Sequence, residues 1–205
     1  MSEKISGIIT DFLLRKNVIK EEEKEIYHYG YETLIYSIQQ MMLILALGMI
    51  MNRKIETFTF LMVFVSMRKY TGGYHARSRL GCTFMTVVCY LMVLVLGEWL
   101  MNMKNGCIIL LFLVLLCVVI FSHYVPMEHP EKPLTKTQKR ESRKKCGLLF
   151  TFYLIISLLF YDIWRIVFYI ILSSMVVTAV LIIIQMRKED DENEKTNVKN
   201  SSNDW

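Results

Sequence analysis

A polar segment between two apolar stretches contains the residue types that nucleophilic catalysis often combines. The segment reads RKYTGGYHARSRLGC, from Arg68 to Cys82, and it holds His75, one of four histidines in the chain. A cysteine attacks as its thiolate, and a nearby imidazole or cationic group forms or stabilises that thiolate. Four cations make the surroundings of the cysteine electropositive: Arg68, Lys69, Arg77 and Arg79. The segment therefore has the composition of a Cys–His pair that attacks a carbonyl group.

The spacing of the pair sets a condition on the local structure. One continuous helix would separate His75 from Cys82 by about 10.5 Å along its axis, too far for a hydrogen bond of roughly 3 Å. The segment must therefore bend, and Gly72 and Gly73 permit backbone conformations that other residues avoid. Cys82 would then begin the next helix, whose N-terminal dipole favours a thiolate. The alternative is a connecting loop in which the histidine and the cysteine are incidental.

The remaining candidate ligands do not form a metal-binding pattern. A cluster of His123, Glu128 and His129 near the catalytic candidates is not supported by an HExxH motif or any comparable spacing. We therefore predict no metal and no other cofactor. Glu128 could instead orient His75 as a third catalytic group. The other four cysteines lack the paired spacing of a disulfide framework or a zinc ribbon.

The chain is 54% hydrophobic and only 21% charged, and its charges lie in short stretches between long apolar segments. These apolar segments must therefore position the loop that holds His75 and Cys82. This distribution excludes a disordered chain, a collagen and a soluble nucleic-acid-binding domain. A helix needs about 20 mostly apolar residues to cross the hydrocarbon core of a bilayer. We predict six spans, of which the second and fifth are short: Leu34–Met51, Ile55–Met67, Thr83–Met101, Cys107–Val125, Leu148–Trp164 and Arg165–Met186.

The positions of Lys and Arg orient these spans. With six spans, 20 of the 24 cationic residues fall on the side that holds both ends of the chain. Cytoplasmic loops of membrane proteins are enriched in Lys and Arg, so this side is predicted to be the cytoplasm. The asymmetry is lost if Ile55–Met67 is instead a re-entrant or interfacial segment. The sequence thus predicts an all-α, multi-pass protein of the cell membrane with six transmembrane helices and both termini in the cytoplasm.

Three regions follow from this layout. Residues 1–33 form a cytoplasmic or interfacial segment, residues 34–186 the membrane domain, and residues 187–205 a polar tail that we predict to be disordered. The first region has the apolar spacing of an amphipathic helix: Ile5, Ile8, Ile9, Phe12 and Leu13. Such a helix either packs on the cytoplasmic face of the membrane domain or lies in the plane of an anionic leaflet. Four cations beside the stripe would suit anionic lipids: Lys4, Arg15, Lys16 and Lys20.

The loop of residues 126–147 is the most basic part of the chain. All three prolines lie at its start, which predicts a shaped loop and not a flexible linker. A run of cations in this loop either anchors the topology or docks an acidic partner segment. Its members are Lys136, Lys139, Arg140, Arg143, Lys144 and Lys145.

The segment from Arg68 to Cys82 resembles the signature of the accessory gene regulator B (AgrB) family, membrane endopeptidases of peptide quorum sensing in Gram-positive bacteria. In that family an arginine begins the motif, a glycine lies two residues before the catalytic histidine, and the catalytic cysteine lies seven residues after it. Arg68, Gly73, His75 and Cys82 occupy these positions. The stretch VPMEHPEKPL, residues 125–134, is similar to the family's second cytoplasmic loop. Chain length and the six-span layout agree as well, so the resemblance covers essentially the whole chain.

The resemblance implies a reaction and roles for these residues. AgrB-type proteins cleave the C-terminal tail from a small AgrD-type propeptide through a peptidyl thioester, and an internal cysteine or serine of the peptide then closes a thiolactone or lactone. Cys82 would be the nucleophile, and His75 the general base and then the acid at the cytoplasmic face. Arg68 would orient the histidine, bind a substrate carboxylate or simply anchor a span end, and Gly73 would shape the loop. The cations of loop 126–147 would hold the acidic tail of the propeptide.

The same resemblance implies the lipid bilayer and a second copy of the chain as partners, and no nucleic acid. Two other classes of function are compatible with a chain of this composition: a peptide exporter and a non-catalytic membrane scaffold. Ionisable residues within the spans and internal repeats often mark transport pathways. The predicted spans carry almost no ionisable residues and no evident repeat, which argues against an exporter.

Overall fold

The computed structural model describes residues 2–71, 79–125 and 135–202, and the regular structure in these ranges is helical, which confirms the all-α prediction. The chain divides into two compact units, Met1–Asn52 and Arg53–Trp205. The described ranges contain α1 (Ser2–Arg15), α2 (Lys24–Ile50), α3 (Lys54–Thr71), α4 (Arg79–Asn102), α5 (Gly106–Tyr124), α6 (Lys136–Phe160) and α7 (Arg165–Ser202).

Four helical segments in the described ranges are long and apolar enough to cross a membrane. They are Glu21–Ile50, Leu80–Asn102, Gly106–Tyr124 and Arg165–Arg187. They correspond to the first, third, fourth and sixth predicted spans. Helix α3 contains the predicted span Ile55–Met67, and α6 contains most of Leu148–Trp164, but neither helix is among the four. A count of six therefore stays a prediction.

Two asparagines terminate the helices of the first unit. Asn17 follows α1 with a φ of 54°, and Asn52 follows α2 with a φ of 55°. Both angles lie in the left-handed region, which asparagine tolerates better than most residues. Beyond Asn17, the Val18 N–H donates to the Leu13 carbonyl over 3.0 Å. This backbone bond satisfies a carbonyl that the end of α1 would otherwise leave unpaired.

Helix α7 is the centre of the second unit and packs against α3, α4, α5 and α6. In Arg165–Arg187, 83% of the most apolar 18-residue stretch is buried, whereas in Gly106–Tyr124 the share is only 28%. Phe168, Leu172 and Met175 are fully buried. A helix that is apolar on all sides is buried by protein on every side only when it lies at the centre of a bundle, as α7 does.

Hydroxyl groups join the outer helices to one another. The Thr57 and Tyr90 hydroxyls lie 2.7 Å apart and join α3 to α4. The Ser66 and Tyr153 hydroxyls, also 2.7 Å apart, join α3 to α6. At the start of α3, Arg53 forms ion pairs with Glu56 and with Glu98 of α4. Hydrogen bonds between helices stabilise membrane bundles because lipid offers no competing partner.

Two regions that the sequence suggested were irregular are helical. The basic run of loop 126–147 belongs to α6, because Thr135 caps this helix: the Gln138 N–H donates to the Thr135 hydroxyl over 3.3 Å. The tail predicted to be disordered from residue 187 continues α7 to Ser202. Nothing interrupts that helix, since residues 165–202 contain neither glycine nor proline.

We expect Gly106→Ala to destabilise the second unit. A Cβ atom at Gly106 would lie 1.7 Å from the Leu100 carbonyl oxygen, so the backbone at the turn between α4 and α5 would have to move. A loss of roughly 1–3 kcal/mol in the free energy of unfolding follows, seen as a lower melting temperature of the full chain in detergent. Gly147→Ala is the matched control, because a Cβ atom at Gly147 would have no neighbour within 4 Å. Equal melting temperatures for the two variants would contradict this reading of the turn.

Candidate active site

Cys82 lies in the first turn of α4, which begins at Arg79. The residue is half-buried. Thr86, Cys89 and Val93 follow on the same face of the helix and are buried, so Cys82 lies on the side of α4 that packs into the protein. Cys82 therefore lies, half-accessible, at the N-terminal end of α4.

The register of α3 against α4 places Arg68 at the level of this cysteine. The two helices are antiparallel, and the rings of Phe60 and Tyr90 pack with their centroids 5.3 Å apart. Eight residues lead from Phe60 to Arg68 and eight lead back from Tyr90 to Cys82, a rise of about 12 Å in each helix. Arg68 and Cys82 therefore lie at the same end of the helix pair and at about the same height.

The Arg68 side chain is held by its own helix. It is half-buried, and its guanidinium carbon lies 5.6 Å from the centroid of the Phe64 ring. A cation–π contact of this kind restricts the orientation of the guanidinium group. The next residue, Lys69, contacts the Tyr70 ring at 5.6 Å in the same way. The end of α3 thus carries two cations with fixed aromatic partners.

The first turns of α6 present a second group of cations. At 100° per residue, four exposed side chains fall within an arc of about 140° on the helix: Lys139, Arg140, Arg143 and Lys144. Lys145 lies outside this arc and forms an ion pair with Glu141 over 3.3 Å. We call the four residues the cationic face of α6.

One member of the cationic face also fixes the position of α6. The Arg143 Nε–H donates to the Val125 carbonyl over 2.9 Å, and Val125 is buried after the last turn of α5. An arginine at this position satisfies a carbonyl at a helix C-terminus and complements its negative dipole end. Arg143 therefore has a structural role that its position in a basic run did not reveal.

Cys82 differs from the other cysteines in its surroundings. Cys89, Cys117 and Cys146 are buried. Burial raises the pKa of Cys146 to about 11, so the basic residues around it in the sequence do not activate its thiol. Cys107 is half-buried but begins α5 near the far end of α4, about 30 Å along that helix from Cys82.

Several predicted site residues lie outside the described residues. They are Gly73, His75 and Glu128, and Lys136 begins α6 without a described side chain. The contact between His75 and Cys82 and the role of Glu128 therefore stay predictions. Within the described ranges, no group of three or more His, Cys, Asp or Glu side chains could hold a metal ion.

The sequence interpretation missed three polar contacts that shape this region. Two of them, the Thr57–Tyr90 and Arg53–Glu98 contacts, set the register of α3 against α4. The third is the Arg143–Val125 hydrogen bond, which holds α6 against the end of α5. Threonine and tyrosine within apolar segments were the available signal for the first pair, because a hydroxyl in hydrocarbon requires a partner. The last contact joins a side chain to a backbone carbonyl and leaves no signal in the sequence.

Comparisons with known proteins give this chain's family and relatives. Residues 6–186 match the profile of the family described as accessory gene regulator B. AgrB-like protein 2 of Clostridium perfringens strain 13 is 29% identical over 168 residues, 78% of this chain and 77% of the relative. An AgrB-like protein of Clostridium perfringens strain SM101 is 28% identical over 187 residues, 84% of this chain and 86% of the relative. No solved structure matches the chain. The chain belongs to the accessory gene regulator B family.

Proposed function

We propose that this chain is a membrane cysteine endopeptidase that removes the C-terminal tail of an AgrD-type propeptide and promotes its cyclisation. The family takes part in the processing of AgrD peptides in quorum sensing. The four apolar helices of this chain support a membrane protein. The observation that carries the proposal is the position of Cys82, half-exposed in the first turn of a membrane helix and level with Arg68.

The reaction has two acyl transfers. The Cys82 thiolate attacks the scissile carbonyl, a carbon–sulfur bond forms, and the carbon–nitrogen bond breaks as His75 donates a proton to the leaving amine. A thiol or hydroxyl inside the peptide then attacks the thioester after giving its proton to His75. The ring closes, and Cys82 leaves as the thiolate. No oxidant, metal or energy source enters either step.

The histidine can reach the cysteine through its position in the chain. Three residues lie between His75 and Thr71 at the end of α3, and three between His75 and Arg79 at the start of α4, so each Cα–Cα separation is at most about 14 Å. Gly73 supplies the backbone freedom for the bend between the two helices. These chain lengths support an imidazole at the end of the helix pair that holds Cys82 and Arg68.

Cyclisation requires that water does not hydrolyse the thioester first. The exchange of one thioester for another is nearly balanced, so the faster nucleophile decides the product. A half-buried cysteine on the inward side of a membrane helix is partly shielded from bulk water. We infer that this location favours the peptide's own nucleophile, whose attack is intramolecular.

The proposed topology has six spans and a cytoplasmic active site. Helices α3 and α6 would supply the two spans beyond the four apolar ones. A helix of 18 residues such as α3 is about 27 Å long, close to the hydrocarbon thickness of about 30 Å. With these spans, 20 of the 24 cationic residues and the Cys82 end of α4 face the cytoplasm. A homodimer, which the family resemblance implies, is likewise a proposal.

The cationic face of α6 is proposed to hold the acidic tail of the propeptide. We expect the triple variant Lys139→Gln, Arg140→Gln and Lys144→Gln to reduce processing about 10-fold to 100-fold at limiting propeptide, because three exposed ion pairs are lost. The Michaelis constant should rise while kcat stays nearly constant, and the difference should shrink as salt screens the charges. Arg143 is left in place because it seats α6 on α5.

The double variant Glu141→Gln and Lys145→Gln is the matched control. It removes an exposed ion pair from the same turns of α6, outside the cationic face, and leaves the net charge unchanged. Processing by this control should stay within about twofold of the unmodified chain. A triple variant that inserts normally and processes at the control rate would refute the assignment of the cationic face.

The proposed function is tested with the full chain in proteoliposomes. The substrate is a short propeptide encoded beside this chain's own gene, with an amphipathic start, a central cysteine or serine and an acidic tail. The expected products are the free tail and a peptide lighter than the linear N-terminal fragment by one water, as a ring requires. Transport of intact propeptide without cleavage would instead support an exporter, and no change in the peptide would support a scaffold.

A further inference from the structure

Helix α1 exposes three residues of its apolar stripe within the first unit of the chain. Ile5, Ile8 and Phe12 are 39%, 71% and 58% exposed, whereas Ser6 and Thr10 are completely or almost completely buried. An amphipathic helix normally buries its apolar face and exposes its polar one. Within the first unit, these three side chains therefore have no packing partner that buries them.

Polar contacts to α2 fix this orientation. The Ser6 hydroxyl donates to the Glu3 carbonyl over 3.0 Å and accepts from His28 Nδ1 over 3.2 Å. Asp11 forms an ion pair with Lys24 over 3.1 Å. At 100° per residue, the buried Ser6 and Thr10 lie about 150° around α1 from the centre of the apolar stripe. Ile5, Ile8 and Phe12 thus point almost directly away from α2, whereas Ile9 and Leu13, at the edge of the stripe nearer α2, are half-buried.

Cations flank the exposed stripe on both sides. By the same helical geometry, Lys4 and Arg15 lie beside Ile8, and Lys16 lies on the other side of Phe12. The Lys16 ammonium is 6.0 Å from the centroid of the Phe12 ring. The carboxylate of Asp11 is already paired, so it does not oppose these charges. Apolar side chains between Lys and Arg are typical of helices that lie at a membrane surface.

The contact to α2 sets the stripe at the level of a membrane boundary. Ser6 meets His28, whose neighbours Tyr27 and Tyr29 are 42% and 72% exposed. Tyrosine is enriched where membrane helices cross the headgroup region. Helix α2 continues from this level as the apolar segment that ends at Ile50.

We propose that α1 binds an anionic lipid surface, with Ile5, Ile8 and Phe12 in the boundary between headgroups and acyl chains. Lys4, Arg15 and Lys16 would contact lipid phosphates. Each such cation strengthens binding to an anionic leaflet by roughly fivefold, so replacing all three with glutamine should weaken it about a hundredfold. The proposal is independent of the chemistry at Cys82.

The test uses the full chain in nanodiscs, with Trp99, Trp164 and Trp205 replaced by phenylalanine and a single tryptophan introduced by Ile8→Trp. The probe lipid is phosphatidylglycerol with brominated acyl chains, mixed into phosphatidylcholine. The matched control is Thr137→Trp, at an exposed position in the first turn of α6. We expect blue-shifted emission and bromine quenching at position 8 and not at position 137. Lys4→Gln, Arg15→Gln and Lys16→Gln together should abolish the quenching.

Three results would overturn the proposal. Emission at position 8 identical to that at position 137 would mean that the stripe stays in water. Blue-shifted emission without bromine quenching would mean that protein, such as a second copy of the chain, covers the stripe. Equal quenching in discs that contain only brominated phosphatidylcholine would refute the preference for anionic lipid.

Discussion

We expect a Cys82→Ala variant to lose cleavage of the propeptide by at least about 10⁴-fold, because the acyl intermediate is proposed to form on the sulfur of Cys82. Cys82→Ser should be nearly as inactive, since a hydroxyl is not ionised by a helix N-terminus at neutral pH as a thiol can be. The measurement is the rate of tail release from proteoliposomes by mass spectrometry. The amount of variant in the membrane is measured in parallel, which separates lost chemistry from lost insertion.

Cys146→Ala is the matched control for this loss. Burial raises the pKa of Cys146 to about 11, so its thiol stays protonated near neutral pH and takes no part in the reaction. We expect this variant to cleave within about twofold of the unmodified chain, since a cysteine-to-alanine change leaves only a small cavity. Cleavage that survives Cys82→Ala but disappears in Cys146→Ala would overturn the assignment of the nucleophile.

The second large effect is expected for His75→Ala, which should reduce cleavage by about 10²-fold to 10⁴-fold, the usual contribution of a general base. The thiolate must then form by direct loss of its proton to solvent, so the residual rate should increase with pH. The unmodified chain should respond much less to pH above neutrality. Initial rates of tail release between pH 6 and pH 9 measure both behaviours.

The control for His75→Ala is His123→Ala. His123 is exposed at the end of α5, beside Tyr124, and has no role in the proposed reaction. Its replacement should leave both the rate and its pH dependence unchanged. If His123→Ala loses activity while His75→Ala retains it, the general base has been assigned to the wrong histidine.

Hydropathy predicted the four apolar helices but not their arrangement. The most apolar 18-residue stretches of Gly106–Tyr124 and Arg165–Arg187 have the same mean hydropathy of 2.8, yet 83% of the second stretch is buried and only 28% of the first. Lipid and protein interior are both apolar, so hydropathy does not distinguish a helix that faces lipid from one that faces other helices. The central place of α7 depends on packing details, such as the close approach of its Ile170 to Gly97 of α4.

Local signals were present for one region that was misread. Thr135 and Gln138 have the spacing of a capping box, which predicts a helix start at the basic run. The three prolines before this run predict a loop instead. The reversed orientation of α1 is different in kind, because Ser6 and Thr10 face α2 through contacts with residues far along the chain. Apolar spacing alone predicts a helix but not which of its faces is packed.

For the site, the sequence supplied the residue types and the loop between two helices. The placement of Cys82 in the first turn of α4 follows from helix boundaries that the hydropathy pattern outlined. Its level relative to Arg68 depends on the antiparallel register, which Thr57 and Tyr90 set through a contact that spacing does not reveal. Residue types had already singled out His75 and Gly73, the family resemblance added their roles, and those roles remain predictions.

The most direct test of the central claim is to trap the acyl intermediate on Cys82. A propeptide whose internal cysteine or serine is replaced by alanine offers no group for ring closure, so the thioester should accumulate in the full chain. After an acid quench, mass spectrometry of the intact chain should show an added N-terminal peptide fragment, less one water, that maps to Cys82 and is released by hydroxylamine. Tail release without this adduct, or an adduct on another residue, would contradict the account.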